Sequence, residues 1–330
     1  SNRLPILFLP GDTYANRMPD PVLQQVEHFN NPGITVNDAF KPVTRYFDRI
    51  TRPEQIIQSF PTAVQTMLDP ADCGPACIAL SQDIQGQTFD YPEEFFKETI
   101  HTIRRPRPDE FQIKTAAEKI KSSKNPIIIS GGGVFYSDAM EELSKFAIKH
   151  NIPVTQTVMG YSTMKRDHSH FAGQIGGLGG KNTNLLAKQT DLAIAVGTKL
   201  ADFTTGSWAN FENENFKLVS INVSRFDANK HLAQAVVGDA KVSLEELSLA
   251  LGNWKAADEW NNKSQKELEA WNNHIDKESA PTNQELPSYV QAVGAIYRNS
   301  DPTDIAVTAA GGLVGEVAQV WRPRELNTHE

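Results

Sequence analysis

Two glycine-rich stretches are the parts of this sequence best suited to hold a phosphate-bearing ligand. Gly131-Gly-Gly133 follows an apolar run and precedes a helical pattern, and the backbone N–H groups of such a turn can approach a phosphate. Tyr136 stands where the G-x-G-x-x-G dinucleotide pattern has its last glycine, and residues 152–160 contain no Asp or Glu for a ribose hydroxyl. The second stretch, Gly173–Gly180, precedes a short helical pattern. If this region binds NAD, FAD or ADP, the candidate binding residues are Gly131, Gly132, Gly179 and Gly180. The alternative is that these glycines only permit close helix–strand packing or form mobile loops without a ligand.

Two further motifs carry reactive side chains without the rest of a reactive set. Cys73 and Cys77 are separated by three residues, one more than in a Cys-x-x-Cys redox motif, and Cys77 opens a strand-like run that would bury its thiol. His168 and His170 would share one face of a strand and could ligate a metal, but no third ligand accompanies them. We therefore expect the cysteines to be structural and the histidines to lie in a solvated loop.

The apolar runs predict the elements that position these residues. Strand-like runs alternate with helical patterns, which favours an open, mostly parallel sheet with helices on both faces. The runs are Pro126–Ser130, Ile152–Val158, Leu192–Val196, Lys217–Val223 and Ala235–Val237. One helix is predicted over Phe111–Lys121, with Asp109 and Gln112 in capping-box spacing. Another is predicted over Asp138–His150, with Ser137 as its N-cap. The fold class is therefore α/β with a Rossmann-like central domain.

Breaks in this pattern divide the 330 residues into four parts. Arg104-Arg-Pro-Arg-Pro108 predicts an extended basic linker. A polar helical pattern from Trp254 to His274 marks a second boundary. The predicted parts are an N-terminal unit over 1–103, a central domain over 109–252, a linker helix over 253–283 and the start of another domain over 284–330.

The two ends of the sequence predict that the chain is a fragment. The first strand-like run is Leu4–Leu9, and a strand over Asp304–Thr308 followed by a helix over Leu313–Trp321 makes a single βα unit near the other end. A parallel strand needs neighbouring strands and cover on both faces. We therefore expect further sequence before and after this chain. The alternative is a short C-terminal unit that docks onto an existing sheet.

Composition argues against several classes of protein. Hydrophobic residues make up 39% and charged residues 22% of the chain, as in ordinary globular proteins. The formal charge of −8 opposes non-specific nucleic-acid binding, which depends on Lys and Arg neutralising phosphates. No apolar run approaches the ~18 residues that a membrane span needs. Two cysteines and no signal-peptide pattern favour the cytoplasm.

Several stretches together resemble thiamine-diphosphate-dependent enzymes of the acetolactate-synthase and pyruvate-oxidase type. The stretches that carry this resemblance are Phe40–Tyr46, Gly74–Asp83, Pro126–Lys241 and Asp304–Leu313. They are similar to the later part of that family's pyrimidine-binding domain, its last strand, the central domain and the first strand and turn of the pyrophosphate-binding domain. The resemblance therefore implies that parts of two α/β domains flank the central one.

Five further stretches are most similar to members of that family that hydrolyse a carbon–carbon bond of a cyclic 1,2-diketone in myo-inositol catabolism. They are Leu7–Thr13, Asp20–Gln25, Phe47–Glu54, Phe89–Phe96 and Ala309–Glu316. The resemblance implies a hydrolase that opens a small cyclic diketone to a deoxy-glucuronate. It also implies thiamine diphosphate and Mg²⁺ as cofactors, and a homodimer or homotetramer with active sites between subunits.

The resemblance marks a few residues of this chain as neighbours of such a site. Gly311, Gly312 and Leu313 match the turn that contacts the diphosphate, and Phe40 and Lys41 match a loop beside the substrate channel. The family's activating Glu is expected upstream, and its Mg²⁺-binding Gly-Asp-Gly motif with a later Asn is expected downstream. The resemblance thus implies no catalytic or metal-binding residue here, and no activity of the chain alone. An acetolactate-synthase-like carboligase or decarboxylase, a nucleotide-binding module without catalysis and a structural spacer stay open as alternatives.

Overall fold

The computed structural model describes residues 3–19, 21–22, 26, 28–309, 311–326 and 328, which fall into two compact units. The first unit is Ser1–Arg104 and the second is Arg105–Glu330. Parts of two motifs, Asp20–Gln25 and Ala309–Glu316, lie outside the described residues. The second unit includes the region predicted to hold a central domain, a linker helix and the start of a further domain, and that division stays a prediction.

The strands of both units are short and parallel. In chain order they are β1 (Leu7–Phe8), β2 (Gly11–Asp12), β3 (Tyr46–Ile50), β4 (Ala76–Ser81), β5 (Pro126–Ser130), β6 (Val154–Gln156), β7 (Phe171–Gln174), β8 (Leu192–Val196), β9 (Lys217–Asn222) and β10 (Gln234–Val237). The α-helices are α1 (Ile56–Leu68), α2 (Glu110–Lys121), α3 (Gly133–Tyr136), α4 (Met140–His150), α5 (Lys181–Gln189), α6 (Asp202–Thr205), α7 (Arg225–Ala228), α8 (Ala240–Leu251), α9 (Asp258–Glu278), α10 (Tyr289–Arg298) and α11 (Gly312–Val320). Among the described helices, none is both long enough and apolar enough to cross a bilayer.

The first unit has β4 at the centre of a four-stranded parallel sheet. β3 pairs with one side of β4, while β1 and β2 pair with two successive parts of the other side. The strand predicted over Leu4–Leu9 is therefore shorter, and pairing resumes after Pro10. The Pro10 carbonyl accepts the Leu80 N–H at 2.9 Å, but a proline has no N–H to donate in return, which interrupts the strand.

The second unit is built on a six-stranded parallel sheet in the order β10-β9-β8-β5-β6-β7. One face of the sheet packs against α2, α4 and α8, and the other packs against α5. Every residue of β5 and β8 is buried, because both faces are covered. The predicted α/β class and mostly parallel sheet with helices on both faces are confirmed. The strand order reverses between β5 and β8, which is where open α/β sheets bind ligands.

Two helix starts differ from the sequence prediction because the capping side chains have other partners. Asp109 caps α2 by accepting the Phe111 N–H at 2.9 Å. Gln112 does not complete the capping box, since its side-chain oxygen accepts the Val237 N–H at 2.8 Å. Ser137 is not the N-cap of α4, which begins only at Met140, and its hydroxyl accepts the Ala240 N–H at 3.3 Å instead. In both cases a bond to a distant strand or helix replaced a local one.

Residues 104–108, which the sequence predicts to be an extended linker, lie outside the described helices and strands, and their arginines are paired. Arg105 Nη1 lies 3.2 Å from Asp239 Oδ2, and Arg107 Nη1 lies 2.5 Å from Glu246 Oε1. The Asp239 N–H also donates to the Pro106 carbonyl at 2.8 Å. From Arg105 onward the linker is therefore fastened to the second unit through carboxylates of that unit.

The last described elements, α10 and α11, pack beside α9. Their shared core consists of Ile275, Val293, Val317, Val320 and Trp321. The strand predicted over Asp304–Thr308 is reduced to one backbone bridge, in which Ala306 N–H donates to the Thr328 carbonyl at 3.1 Å. Among the described residues, this segment has one backbone partner, at Thr328. A strand needs several consecutive backbone hydrogen bonds to a neighbour, so no strand forms here.

Candidate functional site

The first predicted glycine turn lies at the point where the order of the central sheet reverses. Gly131 and Gly133 follow β5, and Gly197 follows β8. The Gly133 N–H donates to the Gly197 carbonyl at 2.9 Å. A Cβ on Gly131 would stand 2.5 Å from the Gly197 carbonyl oxygen, and a Cβ on Gly133 would stand 2.6 Å from the Gly197 Cα. The two loops therefore meet backbone to backbone, and this contact requires glycine on both sides.

Two neighbouring glycines are held in the same way. A Cβ on Gly132 would lie 3.0 Å from the Met159 carbonyl oxygen. A Cβ on Gly160 would lie 2.1 Å from the Ser130 carbonyl oxygen, so no other residue fits there without movement of β5. Gly160 was not predicted as a site residue, and Gly197 was predicted only as part of the stretch Val196–Asp202, paired with the second glycine stretch at the carboxyl ends of strands. The available signal was a glycine close after an apolar run, at 160 and at 197.

The second glycine stretch lies at the end of β7, two strands away from β5. Gly179 and Gly180 form a turn in which the Gly180 N–H donates to the Gln174 carbonyl at 3.0 Å. A Cβ on Gly179 would stand 2.3 Å from that same carbonyl oxygen. Because β6 separates β5 from β7, the structure does not place these glycines beside Gly131 and Gly132. A single nucleotide crevice lined by all four glycines stays a prediction.

Backbone strain marks a second part of this unit, between α6 and β9 and directly before β10, that the sequence patterns did not predict. Ser207 and Trp208 have φ angles of 52° and 72°, and His231 and Leu232 have φ angles of 61° and 56°. Each such left-handed residue costs roughly 1–2 kcal/mol. The Trp208 and His231 rings contact each other at 4.7 Å between centroids, which holds the two strained pairs together. None of these four residues is a glycine or an asparagine, the residue types that usually indicate a left-handed conformation in a sequence.

In the first unit, Phe40 and Lys41 lie in a 3₁₀ segment, Val36–Val43, after β2. The Phe40 ring packs on the Phe8 ring, with 4.6 Å between centroids. The Lys41 side chain is half exposed, and its Nζ lies 2.5 Å from Asp38 Oδ1 and 5.1 Å from the centroid of the Phe47 ring. Lys41 therefore presents an ammonium group to solvent from a defined position.

Asp38 connects Lys41 to a buried ion pair. Asp38 Oδ2 lies 2.5 Å from Arg49 Nη2, and Arg49 Nε lies 2.6 Å from Oδ2 of the buried Asp12. Thr35 and Asp38 form a capping box, in which Asp38 Oδ2 accepts the Thr35 N–H at 2.7 Å. The Thr-x-x-Asp spacing at 35–38 is typical of a capping box, so this part of the network could be predicted from the sequence. The pairing of Arg49 with Asp12 could not, because the two residues lie far apart in sequence.

These contacts shift the protonation of the network toward its charged forms. Burial by itself would raise the pKa of Asp38, but hydrogen bonds from Lys41, from the Thr35 N–H and from Arg49 outweigh it and hold the pKa well below its usual range. Burial would lower the pKa of Arg49, but hydrogen bonds to Asp12 and Asp38 raise it. Both side chains therefore stay ionised at neutral pH.

The C-terminal turn is open where the central glycine turns are closed. Gly311 has φ 127° and precedes α11, and a Cβ on Gly311 or on Gly312 would meet no atom of the described residues within 4 Å. Leu313 is half exposed. The N–H groups in the first turn of a helix have no partner within the helix, so this turn offers donors to an anion.

The thiols and imidazoles singled out in the sequence occupy ordinary structural positions. Cys77 is fully buried in β4, and burial raises the pKa of both Cys73 and Cys77, which keeps the thiols protonated. His168 and His170 have ring centroids 5.8 Å apart in a turn before β7. Across the described residues, no three His, Cys, Asp or Glu side chains come together as a metal site would require.

Comparison with known protein families finds a match within the second unit. Residues 113–247 match the family model described as the central domain of thiamine pyrophosphate enzymes. This match begins within α2, ends within α8 and covers all six strands of the central sheet. The resemblance predicted from the motifs is confirmed, and within the chain it is residues 113–247 that match the central domain of this class.

The similarity to individual relatives extends over nearly the whole chain. The chain is 42% identical, over 97% of its own length, to a protein of Clostridium perfringens strain 13 named 3D-(3,5/4)-trihydroxycyclohexane-1,2-dione hydrolase. Proteins of the same name from Clostridium botulinum strain Alaska E43 and Bacillus licheniformis are 40% and 41% identical over 99% and 100% of the chain. The matched region is 54% to 55% of these relatives, so the chain spans about half of their length.

Proposed function

We propose that this chain is part of a thiamine-diphosphate-dependent hydrolase that opens the ring of trihydroxycyclohexane-1,2-dione in myo-inositol catabolism. The observation that carries the proposal is the identity of about 40% to hydrolases of that name over 97% to 100% of the chain. This similarity includes the first unit and the C-terminal segment, the chain from α10 onward (residues 289–326), which lie outside the matched central domain. In the proposed reaction, water adds OH to one carbonyl carbon and a proton to the departing carbon, and the bond between them breaks.

The C-terminal turn is the part of this chain proposed to hold the cofactor. When bound, thiamine diphosphate supplies a nucleophilic carbon for attack on a carbonyl and an electron sink for breaking the adjacent bond. Gly311 and Gly312 leave open space over the described backbone, and the first N–H groups of α11 have no partner within the helix. Together with Leu313, these residues would orient the diphosphate through backbone donors.

Lys41 and Phe40 are the residues proposed to border the substrate channel. An ammonium group can donate hydrogen bonds to the adjacent carbonyl oxygens of a 1,2-diketone, and Lys41 has its ammonium partly exposed. Asp38 would limit the range of positions that this ammonium visits. Phe40, packed on Phe8, would give the channel one apolar wall.

Magnesium ligands are not proposed among the described residues. Mg²⁺ takes oxygen ligands and bridges phosphate groups, whereas no cluster of three His, Cys, Asp or Glu side chains occurs in the described chain. We propose that the ligands, and the activating Glu, come from parts of the full-length protein outside this chain. We also propose a cytoplasmic homodimer or homotetramer, in which a second subunit completes the active site.

The test is product analysis with the full-length protein, thiamine diphosphate and Mg²⁺. The expected result is conversion of the cyclic dione to an open-chain acid heavier by one water, detected by mass spectrometry, with no reaction when the cofactor is withheld. Condensation of pyruvate instead would assign the protein to the carboligases. The 330-residue chain alone should bind no thiamine diphosphate in calorimetry, and tight binding of NAD, FAD or ADP to it would support the nucleotide-module alternative.

A further inference from the structure

The turn from Lys165 to Phe171, which contains the Asp167-His-Ser-His170 motif, has no part in the proposed reaction. It connects the 3₁₀ turn after β6 to β7, and it contacts three other parts of the second unit: α4, α9 and the C-terminal segment. His170 is 7% exposed. His170 is therefore buried and His168 partly buried in a junction, rather than in the solvated loop that the sequence predicted.

His168 is fixed in one neutral form by its two hydrogen bonds. Its Nδ1 accepts the backbone N–H of His170 at 3.1 Å, so this nitrogen must carry a lone pair. Its Nε2, which lies 2.8 Å from Ser144 Oγ on α4, therefore carries the hydrogen. A second proton could enter only at Nδ1, where it would face an N–H group and break the turn.

His170 extends the junction to the start of α9. Its Nε2 lies 3.1 Å from Asn151 Oδ1, and the Asn151 amide nitrogen donates to Asp258 Oδ1 at 2.9 Å and to the Ala256 carbonyl at 3.1 Å. Because both ends of the Asn151 amide are engaged, its oxygen must point at His170, which makes Nε2 the donor. The remaining nitrogen, Nδ1, lies 3.0 Å from Ser169 Oγ.

The same turn fastens the C-terminal segment. The Arg166 N–H donates to the Pro323 carbonyl at 3.1 Å, and Arg166 Nη1 donates to the Tyr297 hydroxyl at 2.7 Å. Lys165 Nζ lies 2.5 Å from Glu325 Oε2. Loss of the turn would therefore remove contacts to both α10 and the stretch that follows α11.

Electrostatics favour the neutral state of both imidazoles. Burial lowers the pKa of His168, with Asp167 opposing the shift, and burial lowers the pKa of His170, with the neighbouring His168 adding to it. The other charged groups of the turn are Lys165 and Arg166, and the C-terminal segment adds Glu325. Ser144 of α4, Asn151 just after α4, and Asn261 and Gln265 of α9 face the turn with side chains that do not titrate. The carboxylate of Asp258, at the start of α9, reaches His170 only through the Asn151 amide. The nearby His150 is bonded instead to the Trp254 carbonyl and Ser248.

We propose that the Lys165–Phe171 turn is an acid-sensitive latch, in which protonation of His168 releases the C-terminal segment from the central domain while the central sheet stays folded. A histidine whose pKa is lowered by folding binds fewer protons in the folded state. Its contribution to stability is present above its ordinary pKa of about 6.5 and is lost as the pH falls below it. The latch is therefore closed at neutral pH and opens on acidification.

The test is amide hydrogen exchange of the 330-residue chain at pH 7.5 and 5.5, corrected for the intrinsic effect of pH on exchange. The expected result is at least about a fivefold rise in exchange for peptides covering α11 and residues 321–326, with peptides from β5 and β8 unchanged. His168→Asn keeps an acceptor near the Nδ1 position and cannot be protonated, so the rise should disappear. His101→Gln, at an exposed histidine of the first unit, is the matched control and should behave as the unaltered chain.

Two outcomes would overturn the latch. If the rise persists in His168→Asn, it comes from another group such as His150, and if β5 and β8 lose protection together with α11, acid unfolds the whole unit. Nitrogen-detected NMR of the unaltered chain gives a check that needs no variant: His168 must carry its hydrogen on Nε2 at pH 7.5. A hydrogen on Nδ1, or titration of His168 at its ordinary pKa without any change in α11, would contradict the proposal.

Discussion

The carboxyl edges of the two parallel sheets are filled in opposite ways. At the edge of the first sheet, Asp12, Asp38, Arg49 and Lys41 form a chain of charges that runs from the core to the surface. At the edge of the central sheet, Gly131, Gly133, Gly160 and Gly197 bring uncharged backbone into direct contact. The glycine-rich turn looked more like a ligand site in the sequence, whereas the first edge presents a positioned charge to solvent. Glycines after a strand can serve loop packing as well as phosphate binding.

The largest effect in this comparison is expected from breaking the charged edge. Arg49→Met should lower the free energy of unfolding of the first unit by about 3–5 kcal/mol, because it leaves the buried Asp12 carboxylate without a partner. The measurement is hydrogen exchange of peptides from β3 and β4 in increasing urea. Arg52→Met is the matched control, since Arg52 is 74% exposed, and it should change stability by less than about 0.5 kcal/mol. A similar loss in both variants would mean that the charge network adds nothing specific.

The packed edge should respond next most strongly, and only to added volume. Gly160→Ala should destabilise the second unit by about 2–3 kcal/mol, because its Cβ would stand 2.1 Å from the Ser130 carbonyl oxygen. All five tryptophans lie in this unit, so their fluorescence during urea unfolding reports on it. Gly177→Ala, whose Cβ would meet its nearest atom at 3.7 Å, is the control and should be close to neutral. Equal stability of both variants would refute the packing explanation.

The two units should also differ in the pH at which acid destabilises them. The lowered pKa of Asp38 means that its contribution is present above the ordinary pKa of about 3.9 and is lost as the pH falls through its folded pKa. The lowered pKa values of His150, His168 and His170 place the losses of the second unit below about pH 6.5. Hydrogen exchange should therefore rise first in the second unit, and Asp38→Asn should cost the first unit roughly 1 kcal/mol at neutral pH. Earlier loosening of the first unit would contradict this order.

The same contrast explains how much of the fold could be predicted from the sequence. Pro126–Ser130 and Leu192–Val196 were predicted with the bounds that β5 and β8 have, because strands covered on both faces must be apolar throughout. The break at Pro10 and the lost capping box at Gln112 depend on partners 70 and more residues away, Leu80 and Val237. Sequence spacing carries no record of such partners.

In the candidate site, too, the features set by local sequence could be predicted and the contacts between distant residues could not. The predicted glycine turns do lie at the ends of strands, as a βα pattern requires. That Gly131 meets Gly197, and that Arg49 joins Asp12 to Asp38, are contacts across strands that only the folded sheet defines. The Phe40 and Lys41 assignment and the Gly311–Leu313 assignment came from family resemblance and stay predictions.

The smallest effect on stability should come from the open turn at Gly311 and Gly312. A substitution at Gly312 should change cofactor affinity without lowering stability. Gly312→Ala adds a methyl group to the first position of α11, where no atom lies within 4 Å, so the chain should be unchanged or more stable by about 0.5 kcal/mol. Gly311→Ala should instead lower the free energy of unfolding by about 1–2 kcal/mol, because Gly311 has φ 127°.

If the turn holds the diphosphate, Gly312→Ala in the full-length protein should weaken thiamine diphosphate binding at least about tenfold, or 1.4 kcal/mol, since the methyl group would occupy the space of the phosphate. Calorimetric titration of the two proteins measures this, and unchanged affinity would remove the turn from the cofactor site. A methyl group on a central glycine lowers stability because other residues already fill the space beside it. On Gly312 a methyl group should lower only the affinity for the cofactor, if the diphosphate fills the open space there.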